Sequence, residues 1–329
     1  MEGMFLADWL GKPVWMWLAF IGIVIGLLAL DLGVLNRKAR EIPVSESLWL
    51  SAFYIAIACT FGAWVWWALG PERGMEYFTG FAVEKTLALD NVFVISLIFT
   101  YFAIPRAYQH RVLLWGILGV IVLRAIMIGL GAALITQFAW VMWIFGAFLL
   151  FTGVKMLMVL DHQPDIANNP VLRFLRRRLP VTDELHGQAF TVRLPDPKTG
   201  RMTTFVTPLM LALVLVEVAD LIFAVDSVPA IFAITNDPFI VYTSNIFAIL
   251  GLRALYFALA ALVHRFAYLK IALSLVLIFI GAKIFWTQLF GKLDPAISLS
   301  VTAALIAGGI LFSLWKTSGA ARATAPASH

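Results

Sequence analysis

Apolar stretches such as Trp15 to Leu35 and Ile271 to Phe285 recur along this chain, separated by short polar or Pro/Gly breaks, and this pattern constrains the fold more than any other feature. A helix rises 1.5 Å per residue, so about 20 apolar residues cross a bilayer core of about 30 Å. The hydrophobic share is 62% against 13% charged, well above the roughly 45–50% apolar content of soluble domains. The bilayer is therefore the expected solvent, and the fold class expected is all-α and polytopic. Nine spans are predicted, near 15–35, 48–69, 77–103, 111–134, 139–159, 206–234, 240–263, 269–290 and 296–315.

Lys and Arg segregate across that count. The connections after spans one, three, five, seven and nine hold 16 of them, whereas the opposite side holds Lys12, Arg73 and Lys292. Cytoplasmic connections carry the positive excess, so the amino terminus is expected outside and the carboxyl terminus inside. The long connection of about 160–205, with Arg173 and Arg176-Arg177-Arg178, then lies in the cytoplasm near anionic lipid. The net charge of +5 is spread through connections without a nucleic-acid-binding motif, so lipid and not nucleic acid is the expected partner. The single cysteine, Cys59, permits no disulfide or thiolate cluster within one chain. The first span lacks a cleavage signal and is read as retained.

The chain repeats itself. Span three reads Glu84-Lys-Thr-Leu-Ala-Leu-Asp90-Asn91 and span six reads Asp220-Leu-Ile-Phe-Ala-Val-Asp226-Ser227. Downstream, Leu123-Arg124-Ala125 is matched by Leu252-Arg253-Ala254, and Gly153-x-Lys155 by Gly281-x-Lys283, at offsets of 136, 129 and 128 residues. Repeat A then covers about 77–159 and repeat B about 206–290, within a single transmembrane domain 1–329 whose spans one, two and nine are peripheral. Three spans per copy force opposite orientations, the inverted-repeat plan of many secondary transporters, with substrate held where the copies meet.

Ionisable residues inside spans are Asp31, Glu84, Asp90, Glu217, Asp220 and Asp226, with Lys85, Arg124, Lys155, Arg253 and Lys283 against them. Each costs about 2.5–3.5 kcal/mol at a helix centre if left facing lipid, so they must face one another, water or an ion. Arg124 and Arg253 are expected to neutralise carboxylates, and Lys155 and Lys283 to snorkel toward nearer surfaces or serve proton coupling. Asp31 is open between a helix cap, an access-path carboxylate and a ligand. At about 100° per residue, positions six apart diverge by about 120°, so Glu84 and Asp90 leave different faces, whereas Asn91, seven on, returns to that of Glu84. Pro229 cannot donate to the carbonyl four residues back and is expected to open span six. The donors on offer are all oxygen (carboxylates, the Asn91 amide, the Ser227 hydroxyl), which suit Mg²⁺, Ca²⁺ or Mn²⁺ better than Zn²⁺ or Cu(I).

The stretch from Glu84 to Phe93, Glu217-Val-Ala-Asp220, and Phe223-Ala-Val-Asp226-Ser227-Val-Pro-Ala-Ile-Phe-Ala resemble the paired signatures of the TerC family, and within it the Alx branch; Phe145 to Lys155 and the long connection extend the likeness. The resemblance implies a bacterial inner-membrane protein of the lysine-exporter superfamily, linked by name to tellurium resistance and by assignment to manganese export. By motif match Glu84, Asp90, Asn91, Glu217, Asp220, Asp226 and Ser227 carry the family's acidic site. No thiol or redox-cofactor constellation is visible, so neither enzyme activity nor a bound cofactor is expected. The leading expectation is export of Mn²⁺, with proton exchange as the natural coupling, Asp90 and Asp226 as central ligands, and Glu84 and Asp220 as ligands or proton carriers. A redox or stress modulator acting through partners, and a calcium or proton pathway, are the alternatives.

Overall fold

Wherever an apolar stretch runs on, the backbone satisfies its own polar groups by coiling, since lipid offers no hydrogen-bond partner. The computed structural model describes residues 8–31, 43–158, 165–195, 200–260 and 269–323. Its helices are α1 (Val14–Leu30), α2 (Val44–Leu69), α3 (Pro71–Tyr101), α4 (Arg106–Gln137), α5 (Val141–Met158), α6 (Pro170–Arg178), α7 (Pro208–Ile234), α8 (Pro238–Ile249), α9 (Leu252–Ala260), α10 (Leu269–Phe290) and α11 (Pro295–Ala323). Among the described residues seven helical segments are long and apolar enough to cross a membrane: α2, α4, α5, α7, α8 continued into α9, α10 and α11. The other two expected spans are also helical. Helix α1 has 17 residues, and the predicted end of that span, 32–35, lies outside the described residues, as do 159 and 261–263. Helix α3 has 31 residues but carries Glu84, Lys85 and Asp90 at its centre.

Helix continuity differs from expectation at two places. Helix α7 runs unbroken through Pro229 to Ile234, so neighbouring helices hold the turn that proline weakens. The interruption falls instead in span seven, where Leu250 is extended and Gly251 takes φ +82°, splitting α8 from α9. A Cβ at Gly251 would stand 2.8 Å from Tyr54 Cβ. Glycine is needed there twice, for the left-handed backbone and for the approach of α2.

Helices α5 and α10 pack most closely. A Cβ on Gly153 would lie 2.8 Å from the Ser274 carbonyl oxygen, and one on Gly281 would lie 3.0 Å from that of Gly146. The glycines of the two Gly-x-Lys motifs are thus where backbones touch, the small-residue contact that lets membrane helices associate. Helices α1 and α2 lie against α3 and α8 through an aromatic cluster of Trp17, Phe20, Phe61, Tyr77, Phe239 and Phe247. Helix α11 lies on α3 and α10. At one end of the bundle the long connection folds into α6 and an antiparallel hairpin, β3 (Thr191–Pro195) with β4 (Met202–Val206), seated on the core by Ile166 and Leu172. At the other end, β1 (Asp8–Trp9) and β2 (Lys12–Pro13) form a short hairpin before α1.

Candidate ion site

The side-chain period of α3 and α7 decides which acids meet. Glu84 and Asn91 are seven apart on α3, Asp220 and Ser227 seven apart on α7, and both pairs converge at Arg124 of α4. Arg124 is 1% exposed. Its Nη1 donates to Glu84 Oε1 at 2.5 Å and to Ser227 Oγ at 2.6 Å. Its Nη2 and Nε donate to Asp220 Oδ1 and Oδ2 at 3.1 and 3.2 Å, the two-pronged geometry that a planar fork makes with a carboxylate. Asn91 Nδ2 donates to Asp220 Oδ1 at 3.1 Å. Two buried carboxylates share one permanent cation, so with both ionised one negative charge stays uncompensated.

On the far side of Asp220 lies a cavity of about 20 Å³, bounded by Asn91, Ile95, Leu113, Ile117, Val216 and Arg253 among others. It has room for about one water molecule. The amide oxygen of Asn91 is buried without a hydrogen-bond partner, an exception that buried polar atoms seldom make unless water or an ion completes them. Asn91 and Asp220 supply the oxygens at the edge of a lining that is otherwise mostly apolar.

The remaining expected residues lie apart. Asp226, six after Asp220 and so on another face of α7, accepts from Thr152 Oγ1 at 3.3 Å and feels the charge of Lys155, which is exposed. Glu217 packs against Gly119 of α4, and its Oε2 is buried without a partner. Lys85 donates to the Ala248 carbonyl at 3.0 Å, near the break between α8 and α9. Arg253 is paired with Asp31, which also carries a hydrogen bond with Tyr54, so Asp31 ties α1 to α9. Asp90 lies on α3, its side chain outside the described atoms. Among the described residues no group of three or more His, Cys, Asp or Glu is placed to hold a metal.

Several polar groups escaped the sequence reading. Asn245 of α8 is fully buried with neither side-chain polar atom bonded; its signal was a polar Thr-Ser-Asn run inside an apolar span. Glu76, two turns before Glu84, is buried beside Arg73 at 2.7 Å and Thr235 at 2.7 Å. Asp237 meets Lys12 at 3.0 Å and Arg73 at 3.6 Å. Lys12, Arg73, Glu76, Asp237 and Lys283 line a second cavity, of about 530 Å³, at the end of the bundle opposite the long connection. Glu76 and Asp237 sit at the edges of spans in the sequence, and only the fold turns them inward.

A charged cluster buried among apolar, membrane-length helices defines an integral, multi-pass membrane protein. The model of the TerC integral membrane protein family matches residues 69–321, and the chain belongs to that family. It is 48% identical over 303 residues to an uncharacterized membrane protein of Myxococcus xanthus, covering 92% of each chain. It is 48% identical over 298 residues to an uncharacterized membrane protein of Rickettsia bellii, covering 91% of this chain and 96% of the relative. It is 44% identical over 314 residues to Alx of Escherichia coli K12, covering 93% and 95%, a protein named provisionally as a membrane-bound redox modulator. No solved structure matches.

Proposed function

We propose that this protein is a transporter that exports a divalent cation, Mn²⁺ by preference, through the buried cluster of Glu84, Asn91, Asp220 and Ser227. The observation that carries this reading is the two-sided setting of Asp220. Arg124 holds its two oxygens, while a cavity of about 20 Å³ adjoins it beside an amide oxygen that lacks a partner. Two carboxylates match the charge of a divalent ion, so a cation bound between them would neutralise the pair. With no ion bound, Arg124 holds both carboxylates, so the empty site does not leave them bare in lipid. Arg124 cannot give up its proton, so proton exchange falls to the carboxylates. Glu217, unpaired at Oε2, is the first choice.

The reading includes nine crossings, an inverted repeat and a bacterial inner-membrane location. The packing supports the repeat: α3 lies on α8 as α4 lies on α7, and α5 lies on α10, the contacts that exchanging the two copies would regenerate. The charge bias puts the long connection in the cytoplasm, so the small cavity draws from inside and the large one opens outside. Hard oxygen donors favour Mn²⁺, Mg²⁺ or Ca²⁺ over thiophilic metals; the TerC resemblance, with its assignment to manganese export, speaks for the first.

Cells expressing Asp220→Asn or Asn91→Ala are expected to lose manganese tolerance and to accumulate the metal, at normal levels of membrane-inserted protein. Unchanged manganese content in both would reject the reading. A second reading, redox modulation, has the provisional name of the Escherichia coli relative in its favour. It has only Cys59 to work with, and predicts that Cys59→Ser changes the phenotype while Asp220→Asn does not.

A further inference from the structure

The large cavity contains a buried cation that makes no ion pair with a described residue. Lys283 of α10 is 8% exposed and lines the space, yet it makes no hydrogen bond or ion pair with any described residue. The carboxylates nearby are committed. Glu76, whose charge reaches Lys283, accepts from both Arg73 and Thr235. Asp237 is bridged by Lys12 and Arg73, and its other oxygen caps α8 at the Phe239 N–H, 3.0 Å away. The whole lining holds four cations and four carboxylates, but its less exposed part sets Lys12, Arg73 and Lys283 against Glu76 and Asp237 alone. Lys292 adds a further ammonium at the rim, where Glu72 is exposed and Asp294 is turned to cap α11 at the Ala296 N–H, 2.8 Å away.

A buried ammonium without a counter-charge is costly, and a cavity of about 530 Å³ falls within the range of about 300–1,000 Å³ that small-molecule sites occupy. Thr287 lies four residues on from Lys283, on the same face of α10, and also lines the space. Spread donors of this kind fit an anion with several acceptor oxygens better than a halide.

We propose that this cavity is an oxyanion site of the phosphate class, with Lys283 as its principal cation and Thr287 as a second donor. The bound anion supplies the charge that Lys283 lacks. The site is separate from the Arg124 cluster, and its existence does not depend on which metal, if any, the protein carries.

The test is calorimetric titration of the purified full chain with inorganic phosphate, at constant chloride, in nanodiscs of neutral lipid. Saturable binding is expected for wild type and for Lys283→Arg, weakened at least tenfold in Lys283→Met and less in Thr287→Val. Size-exclusion and melting profiles of each variant establish that it is folded. Repeating the titration in phosphatidylglycerol nanodiscs separates two sources of the same chemistry. Loss of phosphate binding there marks a lipid headgroup as the occupant, and undiminished binding marks a free oxyanion; both support the site. No saturable binding by wild type together with no effect of phosphatidylglycerol on its melting would overturn the proposal, as would equal binding by wild type and Lys283→Met.

Discussion

Replacing Arg124 by Met should be the most damaging single change in the bundle interior. The side chain is 1% exposed and donates to Glu84, Ser227 and both oxygens of Asp220. Methionine fills much of the volume but leaves two buried carboxylates facing each other. Removing one partner of a buried ion pair costs about 3–5 kcal/mol. One guanidinium here serves two carboxylates, so the loss should fall near the top of that range. The same principle predicts that the triple change Glu84→Gln, Arg124→Met, Asp220→Asn recovers most of it, because neutral groups of similar shape need no counter-charge. Unfolding by dodecyl sulfate titration, read by circular dichroism, measures both variants. A loss for Arg124→Met below about 1 kcal/mol, the worth of an exposed pair, would refute a desolvated cluster. So would a triple variant no more stable than the single one.

Other changes test the frame around the site. Gly153→Val should destabilise by about 1–3 kcal/mol in the same titration, since overpacking forces backbones apart where a Cβ would stand 2.8 Å from the Ser274 carbonyl; Ala147→Val, on the exposed face of α5, is the control. Gly251→Ala should cost about 1–2 kcal/mol for its left-handed backbone alone, and more from the contact with Tyr54. Asn169→Ala should remove the cap that receives the Val171 and Leu172 N–H groups of α6, costing about 1 kcal/mol and speeding proteolysis of the 165–206 region while the membrane core stays intact.

How far the sequence carries can be read from individual residues. The seven-residue spacing of Glu84 and Asn91 is enough to place them on one face, and the same period brings Asp220 and Ser227 opposite them. Six-residue spacing likewise accounts for Asp226 leaving the cluster for Thr152. Which cation serves which acid is not legible, because Arg124 and Arg253 stand in matching Leu-Arg-Ala motifs yet pair differently, one with Glu84 and Asp220, the other with Asp31. That choice depends on α1, which carries neither motif. The helix break is misplaced in the sequence for a local reason. Pro229 signals a break through its own missing donor, whereas Gly251 depends on Tyr54 approaching from another helix. The inward turn of Glu76 and Asp237 follows from the fold of the end hairpin and α8, which no short-range pattern announces.

Transport through Asp220 and its neighbours requires that a divalent cation cross the membrane only while the carboxylates are intact. Proteoliposomes containing the purified protein, loaded with a manganese-sensitive dye and given external Mn²⁺ under an imposed pH gradient, test it directly. Wild type should show Mn²⁺ flux above empty liposomes, abolished in Asp220→Asn and in the folded triple variant. Flux by wild type no greater than that of empty liposomes, or equal flux by wild type and Asp220→Asn, would contradict it.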